Sequence, residues 1–310
     1  MDLRSLTPAQ NRVVVDLMAL GQPRPRFDPD VGGALRSRLE RELAPAAESL
    51  PDDPLWVRKH DLGQVHTCEG HFRAEQHGFE WNARTATGTV VHKALELAVS
   101  AKGDPRPLDL VDHAMATLAA DDSARSPSPF LRSAAELELA ALRGRANEVV
   151  AKFLECWPPL VPAWSPRTET GIGADLCAGR VVLWGKVDLA LGRAAGNEAR
   201  VLLVDLKTGR SHASHLDDLR FYALVQTLRV GVPPFRVASY YLDTATFHAE
   251  DVTADVLEIG VRRVVEGVRK MARLRDPGAV ATLSPGPACG YCTAGADCAA
   301  AAAYRAEAEA

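Results

Sequence analysis

Hydrophobic positions recur at helical spacing from Val13, Val14, Leu17 and Met18, behind a start signal in which Thr7 can cap and Pro8 suits the first turn. Residues 21 to 34 break into Gly, Pro and Asp, a second helical stretch runs from Ala34 to Leu43, and a Pro-rich connection follows near 44 to 54. No candidate chemistry precedes residue 60. In TGTVVHKALELAVS (87 to 100), Val90, Val91, Ala94, Leu95, Leu97 and Ala98 predict a mostly buried helix, with His92 and Glu96 on one side. Residues 101 to 129 read as loop-rich because Pro105, Pro107, Pro127 and Pro129 interrupt them, and a long helix is expected from Ser133 to Cys156. The period then changes. RVVLWGKVDLAL (180 to 191) and RVLLVDL (200 to 206), joined by the turn-forming GRAAGNEA, predict two adjacent antiparallel strands. A helix at 214 to 230, a strand at 236 to 243 and a helix at 253 to 275 come next, then a Pro/Gly/Cys-rich tail and an Ala-rich end.

Strand alternation places Val201, Leu203, Asp205 and Lys207 on one face and Leu202, Val204 and Leu206 on the other. A carboxylate and an ammonium thus leave the end of an apolar strand together, which is costly unless both have partners. Asp188 shares a face with Trp184 and Lys186, and pairing through the 192 to 199 turn brings Asp188 towards Asp205. Two converging carboxylates beside a lysine suit metal-assisted phosphodiester hydrolysis. The carboxylates offer hard oxygens to Mg²⁺ or Mn²⁺, and the lysine orients water or meets developing charge. The spacing is equally served by a surface salt bridge between Asp205 and Lys207 with Asp188 exposed.

Composition narrows the field. With 310 residues, 47% hydrophobic and 25% charged, the chain can bury a substantial core, so disorder is not the default expectation. A net charge of −4 weighs mildly against a polyanion partner, although metal-binding carboxylates add negative charge and phosphate contacts need only a local basic strip. The opening MDLRSLTPAQNRVVV lacks the pattern of a signal peptide and no later run is long and apolar enough to span a bilayer, so a soluble cytoplasmic protein without membrane contact is expected. Arg200, Lys207, Arg210, Arg220, Arg229 and Arg236 fall around the candidate site, whereas the basic residues of 262 to 275 read as the solvated face of an amphipathic helix.

Six cysteines are too few for a disulfide scaffold, and their clustering points to metal. CGYCTAGADC places Cys289, Cys292 and Cys298 at C-x2-C-x5-C, and Cys68 in HTCEGHF is the natural fourth ligand. Four thiolates suit zinc as well as an iron–sulfur cluster. Cys156 and Cys177 read as buried small residues.

The strings GTVVHKALE, GKVDLAL and VDLKTG, in that order, resemble the RecB-like branch of the PD-(D/E)XK nuclease superfamily over roughly residues 68 to 298. The resemblance implies an α/β fold: a restriction-endonuclease-like core with a central mixed sheet flanked by helices (61 to 310, including the cysteine region), a helical N-terminal extension (1 to 60) and a C-terminal cysteine loop. It implies His92, Asp188 and Asp205 as ligands of Mg²⁺ or Mn²⁺, the Leu206 carbonyl as a further ligand and Lys207 as the catalytic lysine. Glu169, in RTETGIG, resembles the family's additional acid on the first core strand, and a solvated strand-start glutamate is the plain alternative. The family's QxxxY pattern meets a departure: DDLRFYALVQ keeps Tyr222 but has Asp218 where Gln would stand, with Arg220 and Tyr222 as candidates for substrate positioning. The wide cysteine spacing is similar to the iron–sulfur members, AddB-type and CRISPR-adaptation nucleases, which implies a [4Fe–4S] cluster on Cys68, Cys289, Cys292 and Cys298. The activity so implied is a DNA nuclease, an exonuclease on single strands or ends, in repair, recombination or CRISPR or phage-defence processing. No GxxxxGK[ST] string occurs, so unwinding would come from a helicase or other nuclease-system partner. The competing reading is a non-catalytic nucleic-acid-binding or assembly module, which Asp218 and the acidic balance favour and the joint presence of His92, Asp188, Asp205 and Lys207 opposes.

Overall fold

A computed structural model describes residues 6–75, 80–101, 103 and 105–309. The stretch 1 to 5 of the N-terminal reading, and residues 102 and 104 of the expected loop, lie outside the described residues. Thr7 caps α1 (Pro8–Arg12) reciprocally with Gln10, and a π-helical turn, Val13–Leu17, continues it. Helix α2 (Val31–Glu48) runs on through Pro45 and buries Leu39, Leu43 and Ala47, so the expected break near 44 falls after residue 48 instead. Short β1 (Leu55–Val57), α3 (Lys59–Thr67) and α4 (Glu69–Ala74) follow. The first 60 residues thus supply both a strand of the sheet and part of its core.

Helix α5 (Ala83–Ser100) opens on a reciprocal Asn82–Thr85 cap and buries Val90, Val91, Ala94 and Leu95, as its spacing predicts. The loop expected over 101 to 129 instead holds α6 (Pro107–Ala119) and the start of α7 (Ser128–Ser133). Pro107 stands in the first turn of α6, where its missing N–H costs nothing, so it begins a helix rather than breaking one. Helix α8 (Glu136–Cys156) completes this half.

Strands β2 (Arg167–Leu176), β3 (Val181–Leu191) and β4 (Leu202–Lys207), helix α9 (Ser214–Val230), strands β5 (Arg236–Tyr241) and β6 (Thr246–Asp251), and helices α10 (Ala254–Leu274) and α11 (Ala299–Glu309) complete the order. The six strands among the described residues form one mixed sheet. Leu183 pairs with Ala174 of β2 and with Val57 of β1, and Leu189 pairs with Thr168 of β2 and with Val204 of β4. Strand β2 therefore takes one edge of β3, while β1 and β4 share the other. Because β1 runs parallel to β3 and β4 antiparallel, they point head-on at each other across an unpaired stretch of that edge. Lys59, just after β1, and Asp205, near the end of β4, meet across this gap.

Helices α2, α3, α9 and α10 pack with Val181, Leu183, Val201 and Leu203 on one side, and α5, α6 and α8 with Leu189, Leu191, Leu202, Val204 and Leu206 on the other. The fold is an α/β sandwich with a mixed central sheet flanked by helices, and the alternation expected of β4 is observed. The basic residues of α10 and its C-cap are held by neighbours, Arg263 by Asp217, Lys270 by Glu266, Arg273 by Glu69 and the capping Arg275 by Asp53, in keeping with a solvated face. Among the described residues no helix is long and apolar enough to cross a membrane.

The β3–β4 connection rests on Gly192, whose φ is +87° and whose position leaves no room for a side chain: a Cβ there would lie 2.2 Å from the Arg200 carbonyl oxygen. Gly192→Ala is expected to destabilise the fold by roughly 3 kcal/mol, read as a lower midpoint in urea. An unchanged midpoint would contradict this account of the turn.

Candidate active site

Three donors converge where β2, β3 and α5 meet. One ligand atom each from His92, Glu169 and Asp188 lies within 4.8 Å of the others. His92 Nδ1 stands 3.3 Å from Asp188 Oδ1 and 3.6 Å from Glu169 Oε1. Helix α5 buries Val90, Val91, Ala94 and Leu95 in the core and presents His92 to the cleft from the face that also carries Gly88, Thr89 and Glu96.

The sheet is distorted where the two acids sit. Thr168 pairs with Leu189 and Thr170 with Val187, and the ladder is interrupted between them, where Glu169 and Asp188 lie opposite each other. Glu169 has φ +48°, a left-handed conformation rarely adopted by a residue with a side chain. Across from it, Val187 packs into one core layer and Leu189 into the other, so the alternation of β3 resets at Asp188. Strained backbone of this kind persists where surroundings enforce it, and it clusters at functional sites. The reset frees Asp188 Oδ2 to accept the Leu206 N–H at 2.7 Å, just past the last β3–β4 pair.

Asp205 lies outside the tight trio. It is 2% exposed, with Oδ1 accepting from Lys59 Nζ at 2.6 Å and Oδ2 2.7 Å from Lys207 Nζ. Asp218, from α9, lies 3.4 Å from Lys207 and 3.9 Å from Lys59. No motif in the sequence points to Lys59. It sits in no recognisable string, and its partner is 146 residues away.

Electrostatics follow from these contacts. Burial disfavours a charge on His92, but Asp188 and Glu169 outweigh it and raise the imidazolium to about 10. Burial works against the Glu169 carboxylate too, and His92 and Lys186 still hold it below its ordinary value. Asp205 is likewise held low, against its burial, by Lys59 and Lys207, and Lys59 is held well above its ordinary value by Asp205 despite burial.

The donors fit a divalent ion. An imidazole and two carboxylates suffice for a hard-to-borderline cation, and Asp205 Oδ2 is a buried oxygen with no partner of hydrogen-bond geometry despite its ion pair. The trio opens into a cleft of about 940 Å³ bordered by Arg84, Lys93, Lys186, Lys207 and Arg210.

Other predicted residues have different surroundings. Tyr222 is 2% exposed, lies against Gly185 and donates to the Lys186 carbonyl at 2.7 Å, filling the gap on the β3 edge. Burial raises its phenol, which keeps the donor protonated. Arg220 is committed to Glu250 through contacts of 2.7 and 3.0 Å. Leu206 contributes its N–H to Asp188 and its side chain to the core.

Cys68 joins α3 to α4, Cys289 lies in the turn Pro287–Gly290, and Cys292 and Cys298 follow before α11. All four are half-buried and free. The Ser284 N–H points at Cys68 Sγ at 3.5 Å and the Gly286 N–H at Cys289 Sγ at 3.4 Å. Burial raises the Cys292 thiol, and Glu75, Cys68 and Cys289 add to the effect. His71, Glu75 and Cys292 also bring ligand atoms within 4.8 Å of one another.

Comparison with known proteins gives a match of residues 60–299 to the model of the PD-(D/E)XK nuclease superfamily. Among solved structures, one described as a "Putative exonuclease" from Eubacterium rectale is similar at 12% identity and a TM-score of 0.46, over 84% of this chain and 90% of that one. The protein SSO0001 is similar at 15% identity and a TM-score of 0.32, over 70% of this chain and 97% of that one. No curated protein sequence is matched.

Proposed function

Because the chain belongs to the PD-(D/E)XK nuclease superfamily, we propose that it hydrolyses DNA with Mg²⁺ or Mn²⁺, as an exonuclease acting on single strands or ends. The observation that carries this reading is the convergence of His92, Glu169 and Asp188 at a cleft that Lys207 also borders. His92, Glu169 and Asp188, with Asp205 beside them, would hold the ion, and the Leu206 carbonyl is retained as a further candidate ligand. Bound there, a divalent cation polarises the phosphate and lowers the pKa of its water. Asp188, anchored by the Leu206 N–H, keeps its other oxygen aimed at His92. Lys207 orients the attacking water or meets charge developing on the phosphate. Arg84, Lys186 and Arg210 stand at the cleft to receive neighbouring phosphates. A recess of about 940 Å³ is the size of a small-molecule pocket, which suits a few unpaired nucleotides better than a duplex.

End-labelled single-stranded and blunt duplex oligonucleotides, incubated with Mg²⁺ or Mn²⁺ and with chelator, test this. Metal-dependent shortening of the single strand, faster than of the duplex, is expected. No degradation in any divalent metal would favour a non-catalytic nucleic-acid-binding or assembly module. A helicase or other nuclease-system partner would supply unwinding, and repair, recombination or CRISPR or phage defence is the setting proposed.

Cys68, Cys289, Cys292 and Cys298 are proposed to hold a [4Fe–4S] cluster. Supporting this are the N–H groups aimed at two of the sulfurs, a common feature of cluster sites, and the proximity of Cys68 and Cys289 to Cys292. The closeness of His71 and Glu75 to Cys292 favours a second reading, a single zinc ion. Iron and sulfide analysis of anaerobically purified protein separates the two.

A further inference from the structure

Asp205 is served by two lysines where the hydrolytic centre described above needs one. Lys59 arrives from the head of α3, which follows β1, and Lys207 from β4. The head-on approach of those strands along one edge of β3 brings both ammonium groups to a single buried carboxylate. Two ammonium groups around one carboxylate would leave an excess positive charge in a mostly buried place and would repel an incoming cation. Asp218 removes that excess. It lies within 4 Å of both lysines, at 3.9 Å from Lys59 and 3.4 Å from Lys207, so the four groups close to zero net charge. Lys59 also lies 4.9 Å from the centre of the Tyr222 ring, which fixes its stem in the same gap.

We infer that Lys59 and Asp218 are a matched pair. Lys59 is a positioning residue that acts through Asp205, and Asp218 is its counter-ion, so together they set how strongly the centre takes a divalent cation. The acid at 218, which at sequence level counts towards a non-catalytic module, is on this account the companion of an added lysine. The inference rests on the proposal that Asp205 helps hold a metal ion.

The sign of each change follows from the charge count. Asp218→Asn leaves two lysines facing Asp205 and disfavours a cation. Lys59→Met leaves two acids facing Lys207, which favours a cation but lets Asp205 drift and draws Lys207 towards Asp218. Changing both restores neutrality. For a divalent ion in a water-filled cleft, where the effective dielectric approaches that of water (roughly 80), a unit charge about 6 Å away is worth about a factor of ten in affinity.

The test is Mn²⁺ binding to the full chain by calorimetry, with kcat and KM for single-stranded DNA measured alongside. Asp218→Asn is expected to weaken Mn²⁺ binding about tenfold and Lys59→Met to tighten it by a similar factor while lowering kcat with little change in KM. The double variant Lys59→Met/Asp218→Asn should return to within about twofold of wild type in Mn²⁺ affinity. Lys59→Gln replaces Lys59→Met if the latter does not fold. A merely structural role predicts lower unfolding midpoints that add, with no change of sign in metal affinity, and that result overturns the inference alone. Wild-type protein that binds no Mn²⁺ overturns the metal centre and the inference with it.

Discussion

Lys207→Ala is expected to reduce hydrolysis of single-stranded DNA by about 10³-fold or more, while Mn²⁺ binding is retained and the fold survives. The first part follows from the position of Lys207 at the cleft, beside the acids proposed to hold the ion. The second part is peculiar to this chain. Removing one partner of a buried ion pair ordinarily costs about 3 to 5 kcal/mol, because the remaining charge is left alone. Here Asp205 keeps Lys59 at 2.6 Å, so the buried carboxylate stays paired and the loss of stability should be only about 1 to 2 kcal/mol. Single-turnover degradation and urea unfolding of the same preparation read both quantities. Undiminished hydrolysis would remove Lys207 from the chemistry, and unfolded protein would remove Lys59 as a sufficient partner for Asp205.

Cys68→Ser, or oxidative loss of the proposed cluster, is expected to lower the unfolding midpoint by roughly 10 °C and to make residues 279 to 298 sensitive to protease. The tail has little else to hold it. Among the described residues beyond 273, the buried apolar ones are Ala288 and Ala301. Its ties to α4 are mainly polar, the Thr282 N–H to Glu69 at 2.7 Å, the Thr293 N–H to Glu75 at 3.2 Å and Arg73 to the Ala279 carbonyl at 2.9 Å, with Leu283 against Gly70 and the Tyr291 ring edge-on to His71. Linking Cys68 to Cys298 closes a loop of roughly 230 residues, a large restriction on the unfolded chain. Identical midpoints and digestion patterns for anaerobic wild type and Cys68→Ser would leave the cysteines without a structural part.

How far the residues alone carry this picture differs from element to element. Helix α9 is buried nearly all round. The run of 200 to 206 alternates between the two core layers, Leu203 in one and Val204 in the other, and α5 and α10 each bury one face, so their type and the inward face of Val91 follow from spacing. Helix α6 does not, because a proline reads as a breaker until its place in the first turn is known. Strand β1 is only Leu55–Val57, too short for a pattern, and β2 carries a left-handed Glu169 that no periodicity announces. The same limit applies to the site. Alternation assigns Asp205 and Lys207 to a face but gives no distance, and the tight trio proves to hold Glu169 with His92 and Asp188 while Asp205 sits with the lysines. Lys59 is created by tertiary structure, through two strands meeting on one edge.

The central claim is that His92, Glu169 and Asp188 form the floor of a divalent-metal centre. Anomalous diffraction from crystals soaked in Mn²⁺ tests it most directly. The account predicts a manganese peak about 2.1 Å from a His92 ring nitrogen and from carboxylate oxygens of Asp188 and Glu169, absent in Asp188→Asn crystals. A soaked crystal with no peak there, or with manganese bound only elsewhere on the chain, would contradict it.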